Sequence, residues 1–176
     1  EGNYLDGSMD GEWISYSKDG IIVSKGEYVS SRKNGLWKYW YNDGKKEKEV
    51  QFVDDKRSGK SMTWFSDGKQ KIASNYIAGN LDGEFLEWDK DGKKISEGYY
   101  KNTRKWSGFF RDDHYLEGQR GSLVRNFYKN GQKKAEGILI DGMKNGNWSE
   151  WHASGDKKYT GMYKDGMKDG RWIEWN

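Results

Sequence analysis

The sequence has no cysteine and no proline, and only two histidines. The first absence excludes disulfides, thiolate metal sites and a cysteine nucleophile, and leaves the redox compartment undefined. The second leaves turn formation to the 24 glycines and to the Asp and Asn residues beside them. No stretch approaches the roughly 18 consecutive apolar residues of a membrane-spanning helix. Nothing near Glu1 resembles the apolar core of a signal peptide. The chain does not start with Met and reads as a mature product or an excised fragment, so a cytoplasmic location and an envelope or secreted one both stay open. Neither sign of charge dominates: 31 basic and 28 acidic residues are spread along the chain, for a net +3. With no basic arm or acidic tail, nucleic acid is a minority reading for the partner.

Hydrophobic residues are also scarce, at 33% against 34% charged, and the mean hydropathy is −1.19. Such a balance would indicate disorder, but ten Trp and twelve Tyr argue for a folded chain. Those aromatics recur with a period of 24. A Gly-x-aromatic motif stands at Gly11-Glu12-Trp13, Gly35-Leu36-Trp37 and Gly83-Glu84-Phe85, with a weaker copy at Gly59-Lys60-Ser61. It resumes at Gly146-Asn147-Trp148 and Gly170-Arg171-Trp172. Three residues later runs a second column, Tyr16, Trp40, Trp64, Trp88, Phe127, Trp151 and Trp175. A third contains Tyr4, Tyr28, Phe52, Tyr76, Tyr100, Leu139 and Tyr163.

Asp19-Gly20, Asp43-Gly44, Asp67-Gly68, Asp91-Gly92 and Asn130-Gly131 separate the second column from the third and suit two-residue hairpin turns. Further turn signals, such as Asp141-Gly142 and Asp165-Gly166, join one repeat to the next. The expected fold is all-β: an elongated, single-layer antiparallel sheet of tandem β-hairpin repeats, with some fifteen strands. Residues 1–176 read as one array with an irregular, shortened unit around 101–121. The chain opens on the second-strand remnant Gly2-Asn3-Tyr4 and stops on a first strand at Trp175-Asn176, so the expectation is a trimmed parent or paired termini.

Small residues at Gly26, Ser74, Gly98, Gly137 and Gly161 are expected to leave room for a Trp ring from the paired strand. The Trp13, Trp37, Phe85, Trp148, Trp172 column shares its face with Ser15, Tyr39, Glu87, Glu150 and Glu174, and is therefore expected to be partly accessible, either as a half-buried structural ladder or as a platform for a ligand. The second column shares its face with Ile14, Met62, Leu86 and Ile173, and is expected to be core. The interval from Gly83 to Ser122 is 39 residues, nine short of two repeats, which predicts that most of one hairpin near residue 107 is missing. Arg104, Arg111, Arg120 and Arg125 gather there, in a chain that otherwise prefers lysine. Arg forks around carboxylates and stacks on rings, so this cluster is the candidate protein-binding surface.

Chemistry is poorly provided for. His152 reads as a variable strand position and His114, beside Asp112 and Asp113, as a loop residue; no nucleophile motif accompanies either. Glu87, Glu150 and Glu174 stand at equivalent positions, whereas a catalytic carboxylate pair needs unequal environments. Asp89-Lys90-Asp91-Gly92 has only part of a calcium loop, and its residues are the ones turns require. The expectation is therefore no catalytic residue, no metal and no cofactor.

Glu97-Gly98-Tyr99-Tyr100, the Asp165–Gly170 linker, Gly170 to Trp175, and Asn130-Gly131-Gln132-Lys133-Lys134-Ala135-Glu136-Gly137 together resemble the MORN-repeat-variant family, whose bacterial members include YwqK-type antitoxins. Ser61, the shortened unit and Val124 depart from its pattern. The resemblance implies a non-enzymatic scaffold for protein recognition, with toxin neutralisation as its specific form. The rival is a surface or envelope protein that binds glycan, host or membrane-surface material through exposed aromatic columns.

Overall fold

The computed structural model describes residues 1–111 and 113–175. Those residues contain sixteen strands and no helix, in a sheet whose strand order is the chain order. The chain forms two compact units, Glu1–Lys105 and Trp106–Asn176. The first holds β1 (Asn3–Leu5), β2 (Ser8–Tyr16), β3 (Ile22–Val29), β4 (Arg32–Trp40), β5 (Lys46–Val53), β6 (Lys56–Trp64), β7 (Gln70–Ile77), β8 (Asn80–Trp88) and β9 (Lys94–Lys101). β10 (Arg104–Phe110) crosses the boundary. The second unit continues with β11 (Asp113–Leu116), β12 (Gln119–Phe127), β13 (Lys133–Ile140), β14 (Met143–Trp151), β15 (Lys157–Lys164) and β16 (Met167–Glu174). Asn176, part of the terminal-pairing expectation, lies outside the described residues.

Two kinds of turn alternate, and they exchange the roles expected of them. The tight two-residue turns lie between repeats, at Asp6-Gly7, Ser30-Ser31, Asp54-Asp55, Asp141-Gly142 and Asp165-Gly166, where both central residues have positive φ. That is the type I′ geometry whose twist matches the flanking strands. At Asp19-Gly20 and its equivalents only the glycine is left-handed. Gly20 N–H donates to Ser17 C=O (3.1 Å), and Ser17 N–H to Ile21 C=O (2.8 Å). This is a type I turn closed by a left-handed glycine, not a two-residue turn. The aspartates act through their side chains: Asp43 Oδ1 accepts the Lys45 N–H at 3.1 Å and Asp67 Oδ1 the Lys69 N–H at 3.0 Å.

The glycine of each Gly-x-aromatic motif has a different purpose. Between β3 and β4, Lys25 faces Lys38 and Glu27 faces Asn34, so β4 carries two extra residues in the interval. Gly35 sits inside this bulge with φ 69°. The same slip recurs between β13 and β14, where Gly146 has φ 67°.

The bulge also lays the following indole flat. A Cβ on Gly26 would lie 2.2 Å from Trp37 Cδ2, and one on Gly137 2.3 Å from Trp148 Cδ2. Each ring therefore rests on a glycine backbone, with its N–H donated to a main-chain carbonyl: Trp37 to Glu27 (3.1 Å) and Trp148 to Ile138 (3.1 Å). Tyr28 stands edge-on to Trp37 at 5.0 Å, and Tyr163 to Trp148 at 6.2 Å. Where the Trp is replaced by Ser61, its cross-strand neighbour is Val50, which fills the space and is 1% exposed.

This packing puts two first-column residues, Trp37 and Trp148, in the core, while Trp13, Phe85 and Trp172 stay half-buried. Trp37 and Trp148 are each 3% exposed, whereas Trp40, Trp64, Trp88 and Trp151 are half-buried and Trp175 is 40% exposed. The polar neighbours Tyr39 and Glu150 mislead for Trp37 and Trp148, because each indole lies flat on a glycine with a ring beside it and a lysine over it.

Candidate recognition site

The shortened unit keeps its hairpin, contrary to the expectation that most of it is lost. β10 pairs with β11 through Gly108–Tyr115 and Phe109–His114, and β11 pairs with β12 through His114–Gly121 and Tyr115–Arg120. The missing residues come out of strand length, since β11 has four residues, and out of the turn that joins β10 to β11. Asp112, the acidic neighbour expected beside His114, lies outside the described residues.

An open groove of about 800 Å³ lies in the second unit, lined by Arg111, Asp113, His114, Arg120, Ser122 and Leu139 together with the Asp141–Gly142 turn. Arg120 Nη2 is 2.6 Å from Asp113 Oδ1, and its Nε donates to the same oxygen at 2.9 Å. That anchor holds an arginine side chain that is 71% exposed, so its remaining N–H donors stay open to solvent at the groove. Arg111 also lines the groove, in a left-handed conformation with φ 56°.

Arg125 is not part of this cluster. Five residues beyond Arg120 on the same strand, it projects from the opposite face, where its Nε donates to Glu136 Oε1 at 2.8 Å. Hydrogen bonds from Lys133 and then Arg125 hold the Glu136 carboxyl below the usual carboxylate range. Arg104, which is exposed, belongs to the first unit. Of the four candidate arginines, the structure therefore brings Arg111 and Arg120 together.

His114 is held below its ordinary pKa, first by burial and then by the Arg125 charge, with Asp113 opposing. A depressed histidine is neutral in the fold, and the unfolded chain takes up its proton more readily as pH falls below about 6.5. The fold is expected to lose stability as pH falls from about 6.5 to the lower pKa of the folded-state histidine. Denaturant midpoints at neutral and mildly acidic pH should show the loss in the wild type and a smaller one in His114→Gln; equal losses would assign the effect to other groups. His152 opens the 152–156 turn, with its N–H donated to the Asp156 carbonyl at 2.8 Å, and is a turn residue where a strand residue was expected.

The repeated glutamates are not equivalent. Glu87 accepts from Ser96 Oγ at 3.0 Å, while Glu150, beside Lys144, has a side chain 25% exposed and Glu174, beside Lys168, one 68% exposed. The Tyr159 hydroxyl titrates above its ordinary range, first through burial and then through its hydrogen bond to Glu150. Asp89 Oδ1 accepts the N–H groups of Asp91 (3.0 Å) and Lys93 (2.9 Å), which accounts for the residues that read as part of a calcium loop.

Lysines cover three rings of the Trp row. Lys33 Nζ lies 4.3 Å from the Trp37 ring centroid, Lys144 Nζ 4.5 Å from Trp148, and Lys168 Nζ 4.1 Å from Trp172. Each stands directly across from a third-column residue, Lys33 opposite Tyr28 and Lys168 opposite Tyr163. The signal was available as a lysine four residues before each of these three tryptophans.

The family model for the MORN repeat variant matches residues 9–30, 33–54, 81–102 and 144–165, half of the chain. The protein belongs to the MORN repeat variant family. Each matched MORN segment runs from a first strand, through the glycine-closed turn and the next strand, to the left-handed residue at 30, 54, 102 or 165 that begins the following tight turn. The stretches between them contain the departures, Ser61 and Val124, and the shortened unit. MORN repeats are commonly binding or scaffold repeats. Comparison with proteins of curated function gives no match. No helix among the described residues is long and apolar enough to cross a membrane.

Proposed function

We propose that this protein is a non-enzymatic scaffold that recognises a protein partner at the Arg111–Arg120 groove. The observation that carries the reading is the placement of an anchored, exposed arginine and a second arginine on a groove in the one irregular stretch of a repeated chain. A repeat presents the same surface many times; the irregular unit is where that surface becomes unique. Forked Arg contacts favour a partner with a carboxylate-rich patch. Burial of Trp37 and Trp148 and the lysines over their rings weigh against a continuous aromatic platform for glycan. Toxin neutralisation is the specific form we infer from the resemblance.

Charge reversal tests the groove, because it adds repulsion as well as removing contacts. Arg111→Glu with Arg120→Glu should abolish retention of a partner that the wild-type chain captures, with circular dichroism unchanged. The control, Lys129→Glu with Lys158→Glu, alters the same number of charges on exposed positions of the same unit. Unchanged retention after the arginine reversals, or equal loss in the control, would move the site elsewhere. A toxin encoded beside the parent gene and bound through these two arginines would support the narrower form.

A further inference from the structure

We propose that the aromatic box around Trp13 binds a trimethylammonium group. The box has three walls. Trp13 lies flat over Gly2, where a Cβ would come 2.3 Å from Cδ2, and its Nε1–H donates to the Asn3 carbonyl at 3.2 Å. Tyr4 and Tyr28 stand edge-on to it from either side, with centroids at 5.3 and 5.8 Å and interplanar angles of 87° and 84°.

The repeats of Trp37, Trp148 and Trp172 show what such a box holds; in the Phe85 repeat the equivalent residue is Leu81. The Lys33 ammonium sits 4.3 Å from Trp37 and 5.6 Å from Phe52; the Lys144 ammonium sits 4.5 Å from Trp148 and 4.9 Å from Tyr163. In those repeats the chain supplies its own cation. At Trp13 the equivalent position, opposite Tyr4, is Met9. Methionine is neutral and its unbranched side chain readily changes rotamer, so it supplies no cation to the box and can yield to one. Trp13 is half-buried and Tyr4 is 66% exposed, so the box is open to solvent.

A second difference selects the kind of cation. Each lysine cap has a polar group for its N–H donors two residues after the Trp: the Tyr39 hydroxyl 3.1 Å from Lys33 Nζ, Glu150 3.6 Å from Lys144 and Glu174 3.9 Å from Lys168. The matching residue after Trp13 is Ser15, a small neutral side chain. A primary ammonium entering this box would leave water-bonded N–H groups poorly satisfied, which is costly. A quaternary ammonium has no N–H to satisfy and keeps its attraction to the ring faces. The inference does not depend on the arginine groove.

Tetramethylammonium chloride is the probe, titrated against the full chain and followed through the Trp13 indole resonance, with ammonium chloride at equal concentration as the reference. Saturable binding of tetramethylammonium alone is expected. Met9→Lys restores the cap found in other repeats and should weaken binding by about tenfold or more, as loss of a desolvated cation–π contact does. Tyr4→Ala removes one wall at an exposed position and should weaken it as well. Free choline and phosphatidylcholine vesicles then distinguish a soluble source of the group from a lipid one. Equal shifts with ammonium, or unchanged affinity in both Met9→Lys and Tyr4→Ala, would overturn the proposal.

Discussion

Trp148→Ala is expected to lower stability by about 3 to 5 kcal/mol, with a clearly smaller loss for Trp88→Ala. Trp148 is 3% exposed, rests on Gly137, donates to the Ile138 carbonyl and is covered by Lys144, so truncation leaves a cavity bounded by backbone that cannot collapse into it. Trp88 is half-buried, and solvent can replace the lost ring. Denaturant unfolding of the two variants side by side checks the ranking. Equal losses would show that both columns carry the fold, and a larger loss for Trp88→Ala would return the core to the second column.

Gly26→Ala should also be severe for so small a change. The added carbon would lie 2.2 Å from Trp37 Cδ2, and the indole, enclosed by Tyr28 and Lys33, has no free direction in which to move. Overpacking of this kind costs about 1 to 3 kcal/mol, occasionally more. The chain already contains the compensated form, Val50 opposite Ser61. Combining Gly26→Ala with Trp37→Ser should therefore cost less than the two single losses added together, and a double-mutant cycle measures the coupling. Additive losses would mean that ring and glycine do not share the space. Gly44→Ala is the contrast: nothing lies within 4 Å of its Cβ, and the only penalty is the left-handed φ of 79°.

The repeat period, the strand-and-turn alternation and the pairing of small residues with Trp rings were all legible in the sequence, because glycine spacing and aromatic spacing follow directly from turn chemistry and strand alternation. Side-chain orientation was not. The face of Trp37 was read from Tyr39, and that of Trp148 from Glu150, but exposure depends on whether the ring stands up or lies flat, which the Gly35 and Gly146 bulges decide. Turn type was hidden for a similar reason: Ser30-Ser31 and Asp54-Asp55 adopt a pair of positive φ values with no glycine to mark them. The arginine cluster was legible as composition only, since the odd spacing of Arg120 and Arg125 along one strand puts them on opposite faces.

Hydrogen exchange of the ten indole N–H groups, resolved by nitrogen-labelled NMR, tests the flat-indole core most directly. The N–H groups of Trp37 and Trp148, buried and bonded to main-chain carbonyls, are predicted to be the slowest to exchange, with Trp13 intermediate and Trp40, Trp64, Trp88, Trp151 and Trp175 faster. Greater protection of Trp64 and Trp88 than of Trp37 and Trp148 would contradict the account.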